Sequence, residues 1–155
     1  MGMLQSLRFD LLIPKVRVQN EKMPIDVLAA GMAPVCGIDL SVLSDLMRDE
    51  ISQMPCGIGQ GVAVLDVRSA KVRRPGIGMA VLNQGISLEG ADDVPVDVLA
   101  VVLSPFSDGP LHLQRVAAVT RLLRNEELCD ALRDAPDVDT MRILLMPSQR
   151  WMRAA

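Results

Sequence analysis

The chain has 155 residues, half of them apolar, and a formal net charge of -3. That length predicts one domain with a single sizeable core. The acidic balance and the aromatic content of 2% exclude the cationic, stacking surface that nucleic acids need, so we predict no nucleic acid partner. No apolar run reaches the roughly 20 residues of a membrane-spanning helix, and the N-terminus lacks a cleavable secretory pattern. We therefore predict no membrane insertion and a cytoplasmic location.

The first predicted elements are a strand and two helices. Alternating polar and apolar residues predict a short, half-exposed strand at residues 16–18, after the turn-prone Pro14. A helix over about 25–33 begins after a proline, which is tolerated in the first helical turn. Asp39 is a suitable N-cap for a second helix over about 40–51, whose apolar residues fall on one face.

The segment C-G-I-G-Q-G-V-A-V-L-D, residues 56–66, is the most informative part of the chain. Its glycines run into an apolar strand over 62–65 that ends on Asp66. Nucleotide-binding glycine loops follow a strand and open a helix, which is the reverse of this order, so Rossmann and Walker sites are disfavoured. The alternatives are a plain turn with a tight strand entry, or a loop for a small anion or nucleotide formed by Cys56, Gly57, Gly59 and Gly61.

The second half of the chain alternates strands with helices. A strand over 77–82 is followed by a turn at residues 83–85, and the apolar run over 96–103 predicts a central strand buried on both faces. Helices follow over about 110–124, then after the caps Asn125 and Asp137. This order predicts an α/β fold, with one mixed β-sheet flanked by helices on both faces.

Domain boundaries and chain ends complete this outline. We assign residues 1–146 to one domain and residues 147–155 to a C-terminal tail. The opening residues match the short N-myristoylation pattern at Gly2, with an ordinary N-terminus as the alternative.

Metal and cofactor chemistry is restricted by the few available ligands. Cys36, Cys56 and Cys129 lie far apart without C-x-x-C spacing, and His112 is the only histidine. Cysteine and histidine alone therefore cannot assemble a zinc site. We interpret the cysteines as small buried residues in a reducing compartment, and we predict no metal and no cofactor.

Asp66 and His112 are the one pair with catalytic character. An aspartate that orients a histidine is familiar from catalytic triads, but the sequence does not identify a residue that would be the nucleophile. The alternative is a structural histidine in the first turn of a helix. If the two side chains meet, we expect an ion pair rather than a proton relay.

The glycine segment resembles that of class-two enzyme IIA domains, the fructose, mannitol and nitrogen-regulatory type of the bacterial phosphotransferase system. The family pattern is T-G-I-G-x-G-x-A-x-P-H, followed by a basic loop, and residues 56–66 retain its three glycines and its alanine. V-P-V-D-V-L-A-V-V-L-S-P resembles the buried strand of the family, and L-H-L followed by a helix resembles its second histidine segment. The resemblance extends over roughly residues 8–146 and implies the enzyme IIA fold.

The resemblance also implies site roles, and this chain departs from several. In the family, the histidine that ends the first motif accepts a phosphoryl group from a phosphocarrier protein, whereas Asp66 stands there in this chain. Glu50 aligns with the arginine expected sixteen residues earlier, and Arg48, two positions away, is a candidate substitute. Leu65 and Cys56 replace a proline and a threonine.

His112 matches the second site histidine, which is implied to hydrogen-bond the phosphoryl group or its acceptor. A phosphohistidine relay needs a neutral imidazole and nearby cations, which Asp66 and Glu50 do not supply. We therefore expect a degenerate phosphotransferase domain, a pseudoenzyme to which we assign no catalytic residue. The alternative is an active transfer protein that accepts phosphate on Asp66 or His112.

The expected role is nitrogen-type regulation through protein contact. The partner would be a kinase, a transporter or a transcription-related protein, with a histidine phosphocarrier and a second copy of the chain as further candidates. Asp66 would carry a constant negative charge where phosphorylation supplies about -2, the alternative being neutral drift. The predicted interface comprises Asp66, Arg68, Lys71, Arg73, Arg74 and His112.

Overall fold

The computed structural model describes residues 7–146, which form one five-stranded sheet and five α-helices. Gly2 and the predicted tail at 147–155 lie outside the described residues. A short 3-10 turn, Phe106–Asp108, connects the last strand to the third helix. The elements in chain order are β1 Leu11–Val16, α1 Met23–Cys36, α2 Leu40–Gln53, β2 Gly57–Gly59, β3 Val62–Arg68, β4 Gly76–Ile86, β5 Val96–Ser104, α3 Pro110–Leu123, α4 Glu126–Asp134 and α5 Val138–Leu145.

The sheet is mixed, as the sequence predicts. Its strand order is β1-β4-β5-β3-β2, in which β1 pairs with β4 and β3 pairs with β5 in parallel. The other two pairings, β4 with β5 and β2 with β3, are antiparallel. The predicted central strand is β5, in which every residue except Asp97 is buried.

Helices cover both faces of the sheet. One face packs against α1 and α2, with Leu28, Met32, Leu43 and Met47 fully buried in that layer. The opposite face packs against α3, α4 and α5. Because side chains alternate along a strand, the β3 residues Val62 and Val64 belong to this second layer, and Asp66 continues on the same face.

Three predicted helix caps are confirmed. Asp39 accepts a hydrogen bond from the Ser41 N–H at the start of α2. The Asn125 side chain accepts from the Leu128 N–H at the start of α4, and the Asp137 side chain accepts from the Thr140 N–H at the start of α5. Each such cap stabilises its helix by about 1 kcal/mol, which explains why these boundaries could be predicted from local sequence.

The predicted boundaries of three elements were wrong. β1 begins at Leu11 rather than after Pro14, because an edge strand tolerates a proline that cannot donate a ladder hydrogen bond. Its register shifts around Lys15, whose φ is 52°. Instead of turning at residues 83–85, β4 continues to Ile86 through a register shift. The first helix is also longer than predicted.

Gly109 sets the direction in which α3 leaves the sheet. It is the N-cap of α3 with φ 57° and ψ -127°, a combination that essentially only glycine adopts. A Cβ built at this position meets no heavy atom within 4 Å. The constraint on residue type therefore comes from backbone strain and not from steric crowding.

We expect Gly109→Ala to lower the free energy of unfolding by about 1–3 kcal/mol, because alanine would occupy a glycine-only backbone conformation. Urea unfolding measures this change. Ser107→Ala, an exposed neighbour in the same turn, is the control and should change stability by less than about 0.5 kcal/mol. A Gly109→Ala protein as stable as the parent would contradict the strain argument.

Candidate functional site

The parallel pairing of β3 and β5 brings two polar strand ends to one edge of the sheet. Asp66 lies opposite Val102 and Arg68 lies opposite Ser104, so both strands end together. Asp66 and Ser104 occupy the sheet face that α3 covers, by the alternation described above. The first turn of α3 carries His112 to the same edge.

His112 bridges the two strand ends. Its Nε2 hydrogen-bonds to Oδ1 of Asp66, and its Nδ1 lies 2.8 Å from Oγ of Ser104. The His112 side chain is only 2% exposed, whereas that of Asp66 is 43% exposed. The sequence left open whether Asp66 and His112 meet; here their side chains are in contact, and both ring nitrogens have partners.

A second layer of polar side chains supports Ser104. Nη1 of Arg115 donates to Oγ of Ser104 at 3.0 Å and to Oδ2 of Asp108 at 2.5 Å. The Arg115 and Asp108 side chains are each 19% exposed. Sequence reasoning missed these three residues, although Ser104 ends an apolar strand just as Asp66 does, and Arg115 lies one helical turn after His112.

A shallow pocket of about 230 Å³ opens beside Asp66. Glu50, Met54 and Cys56 contribute to its walls. Burial raises the pKa of the Glu50 carboxyl, the negative charge of Asp66 raises it further, and His112 opposes the shift. Burial also raises the pKa of the Cys56 thiol. The pocket thus holds two carboxyl groups close enough to interact, an arrangement that repels an anion.

Backbone N–H groups of the glycine loop already have hydrogen-bond partners within the protein. The N–H groups of Cys56 and Gly57 both donate to the Glu89 carbonyl, at 3.1 and 3.0 Å. Gly59 and Gly61 lie in the β2–β3 hairpin with φ values of 102° and 80°. Between them, the Gln60 N–H donates to the Asp92 carboxylate at 3.0 Å. These contacts support the turn interpretation over an anion-binding loop.

Arg48 has a partner away from Asp66. Its guanidinium pairs with the Asp26 carboxylate on α1. Glu50 lies two positions further along α2, and helix residues two apart do not share a face. The candidate substitute for the family arginine is therefore engaged with α1, while Glu50 lines the pocket.

The predicted interface residues divide into two groups. Arg68 lies over the ring of Phe106, with its guanidinium carbon 5.7 Å from the ring centroid, and Lys71 and Arg73 are exposed. Arg74 instead donates to two carbonyls in the last turn of α1, at 3.1 Å each. Arg74 thus has a structural role at the end of that helix.

The cysteines are free and buried, as predicted. Burial raises the pKa values of Cys36 and Cys129 to about 11, so these thiols are unreactive at neutral pH. Within residues 7–146, no group of three or more histidine, cysteine, aspartate or glutamate side chains could hold a metal ion. None of the helices in this range has the length and apolar character to cross a membrane.

The fold and the strand-end site together define a single-domain α/β protein of enzyme IIA architecture. Residues 14–146 match the family model for "Phosphoenolpyruvate-dependent sugar phosphotransferase system, EIIA 2". The chain therefore belongs to this family, and the resemblance carried by the glycine segment is confirmed.

Curated relatives and solved structures are similar to most of the chain. A nitrogen regulatory protein of Bradyrhizobium diazoefficiens is 26% identical over 139 residues, which cover 89% of this chain and 91% of the relative. The nitrogen regulatory protein IIA-Ntr of Neisseria meningitidis aligns with a TM-score of 0.81 at 15% identity, covering 93% of this chain and 99% of that one. Enzyme IIA mannitol of Escherichia coli, in complex with phosphorylated enzyme IIB mannitol, aligns with a TM-score of 0.73 at 15% identity, covering 94% and 96% of the two chains. The two structures show that the fold is shared.

The raised pKa of Glu50 predicts a pH-dependent stability difference. An acid whose pKa rises on folding costs stability once it ionises, so the cost is absent below its ordinary pKa and complete above the raised one. We expect Glu50→Gln to have a higher Tm than the parent at pH 7 and an equal Tm near pH 3.5. Thermal unfolding at both pH values measures the difference.

Glu21→Gln, at an exposed position before α1, controls for the lost net charge and should show no such pH-dependent gap. A Glu50→Gln protein with unchanged or lower Tm at pH 7 would mean that the ionised carboxylate does not oppose folding.

Proposed function

We propose that this chain is a regulatory EIIA protein of the nitrogen type, which acts in the cytoplasm by contact with another protein and does not carry phosphohistidine. The observation that carries the proposal is the state of the chain's only histidine. His112 is buried, and both of its ring nitrogens are engaged, one by Asp66 at the acceptor position and one by Ser104.

The geometry of His112 is poorly suited to a phosphoryl acceptor. A nucleophilic imidazole needs a free lone pair that the donor can approach in line. Nε2 faces the carboxylate of Asp66, which would repel the incoming phosphoryl oxygens, and Nδ1 faces the fully buried Ser104. Neither nitrogen offers an open path.

The surroundings of Asp66 also disfavour transfer to its carboxylate. An acyl phosphate needs a cation to offset the phosphoryl charge, commonly Mg²⁺ held by further acids. Glu50 instead adds negative charge to the same pocket, and Arg48 is paired with Asp26. The described part of the chain contains no candidate metal cluster.

The surface around the site suits protein recognition. Asp66 is partly exposed, and three large apolar side chains on the segments that contribute to the site are more than half exposed, namely Met54, Phe106 and Leu113. Met54 lines the Asp66 pocket, Arg68 lies over Phe106, and Leu113 follows His112 in α3. Exposed apolar residues bordered by charged side chains are typical of protein interfaces, which have an apolar core and a polar rim.

Two comparisons support the nitrogen-regulatory type. The chain spans nearly the whole length of the Bradyrhizobium and Neisseria nitrogen regulatory proteins. A third comparison supports action by contact with another protein, because the Escherichia coli enzyme IIA mannitol structure is itself a complex with a partner protein. We therefore favour a target such as a kinase, a transporter or a transcription-related protein. In this role Asp66 supplies a constant negative charge in place of a switchable one.

Incubation with a phosphorylated histidine phosphocarrier protein tests the lost acceptor. We expect no phosphoryl adduct on the parent protein by intact mass spectrometry, because neither His112 nor Asp66 is a competent acceptor. Asp66→His should gain little label, since Glu50 stays beside the new imidazole. The double variant Asp66→His/Glu50→Arg should be labelled more strongly, because a cation then balances the phosphoryl charge.

Stoichiometric label on the parent at either residue would overturn the proposal. Efficient labelling of Asp66→His alone would remove Glu50 as a reason for the lost activity. The double variant also serves as the positive control that the phosphocarrier recognises this surface.

Affinity capture from extracts of the source organism tests recognition at Asp66. We expect at least one protein to be retained by the parent and strongly depleted on Asp66→Ala, because the site charge contributes to the interface. Asp93→Ala is the matched control, since Asp93 is an exposed acid before β5, at the opposite end of that strand from Ser104. Equal capture by all three proteins would place the interface elsewhere.

A further inference from the structure

The buried polar side chains next to His112 form a directed chain of hydrogen bonds. Arg115 donates to Oγ of Ser104, and this oxygen also contacts Nδ1 of His112. A guanidinium group can only donate, so the direction of the first bond is determined. The hydroxyl of Ser104 has a single proton of its own, which is available for the second bond.

Two tautomers of neutral His112 are chemically conceivable, and the contacts distinguish between them. If the ring proton is on Nε2, Ser104 donates to the bare Nδ1 and the ring donates to Asp66. If it is on Nδ1, the Ser104 oxygen must accept from both the ring and Arg115. The Ser104 hydroxyl proton then has no acceptor among the described residues that hydrogen-bond to this hydroxyl, because His112 and Arg115 would both donate to it. In addition, the bare Nε2 would face the Asp66 carboxylate.

We propose that Arg115 and Ser104 are positioning residues: whenever the ring is neutral rather than paired as an imidazolium with Asp66, they hold its proton on Nε2, and they do so even without Asp66. Arg115 is itself held in place by Asp108. This inference concerns the position of a proton and does not rest on the proposed function. Its consequence is that α3 always presents an N–H donor at the end of β3, suited to a carboxylate or another oxyanion there.

Charged groups act on the ring by direct contact, through space and through Ser104. Asp66 on β3 contacts Nε2, and Glu50 on α2 interacts with His112 through space. Arg115, on the same helix as His112, donates to Ser104, which in turn contacts the ring. Asp108, in the turn before this helix, pairs with Arg115. Both Asp66 and the Arg115–Ser104 pair favour the same tautomer, so removing Asp66 is the decisive step of any test.

Imidazole nitrogen NMR tests the proposal directly, because the chain has one histidine and its ring signals need no assignment. Spectra are recorded over a series of alkaline pH values at which the ring shifts no longer change. We expect a protonated Nε2 and a bare Nδ1 in the parent, and the same pattern in Asp66→Ala. In Asp66→Ala/Ser104→Ala, both nitrogen shifts should move toward each other as the two tautomers become populated.

Asp66→Ala/Arg115→Met should show the same averaging, since the Ser104 hydroxyl can then turn its proton toward the place that Arg115 vacates and accept from Nδ1. Asp66→Ala/Ser107→Ala is the matched control and should keep the Asp66→Ala pattern, because Ser107 is exposed in the neighbouring turn. Amide spectra establish that each variant is folded, and the Arg115 variant serves if the Ser104 variant is not.

Averaged ring shifts in Asp66→Ala alone would overturn the proposal, since Asp66 would then be the residue that sets the tautomer. A pure Nε2–H pattern in the folded double variants would also overturn it, because Ser104 and Arg115 would then be dispensable.

Discussion

The site depends on one buried imidazole that joins two parallel strands. His112 satisfies Asp66 on β3 and Ser104 on β5 at the same time, and it is almost fully withdrawn from solvent. A buried polar ring is tolerated only when its nitrogens are hydrogen-bonded. The strand register, the turn at Gly109 and the start of α3 must therefore agree in position. A shift in any one of them would leave a buried nitrogen unpaired.

The same arrangement explains the chemical character of the site. We propose that Asp66 replaces the acceptor. Its carboxylate and the second carboxyl in the pocket repel a phosphoryl group, and Arg48 is paired with α1 and does not offset them. These features suit a surface of constant negative charge better than a transfer site. The partly exposed Asp66 and its apolar neighbours form a surface that another protein could bind, which connects the geometry to the proposed regulatory role.

Local signals predicted the fold well where local energetics decide it. The side-chain caps Asp39, Asn125 and Asp137 act within three residues of themselves, so their helices begin where the sequence indicates. β1 was predicted less well because Pro14 is permitted only by its place on the sheet edge. Likewise, β4 extends through turn-prone residues because pairing with β5 resumes at Ile86.

The sequence by itself determined the α/β class and the family motif, and from that motif we predict that Asp66 replaces the acceptor in a chain with a single histidine. Only the tertiary structure decided what the histidine contacts. Asp66 and His112 are 46 positions apart, so their meeting depends on strand order and helix packing rather than on spacing. The support from Ser104 and Arg115 has the same origin, because no spacing in the sequence relates the two residues, and they become a network only when β5 and α3 pack together.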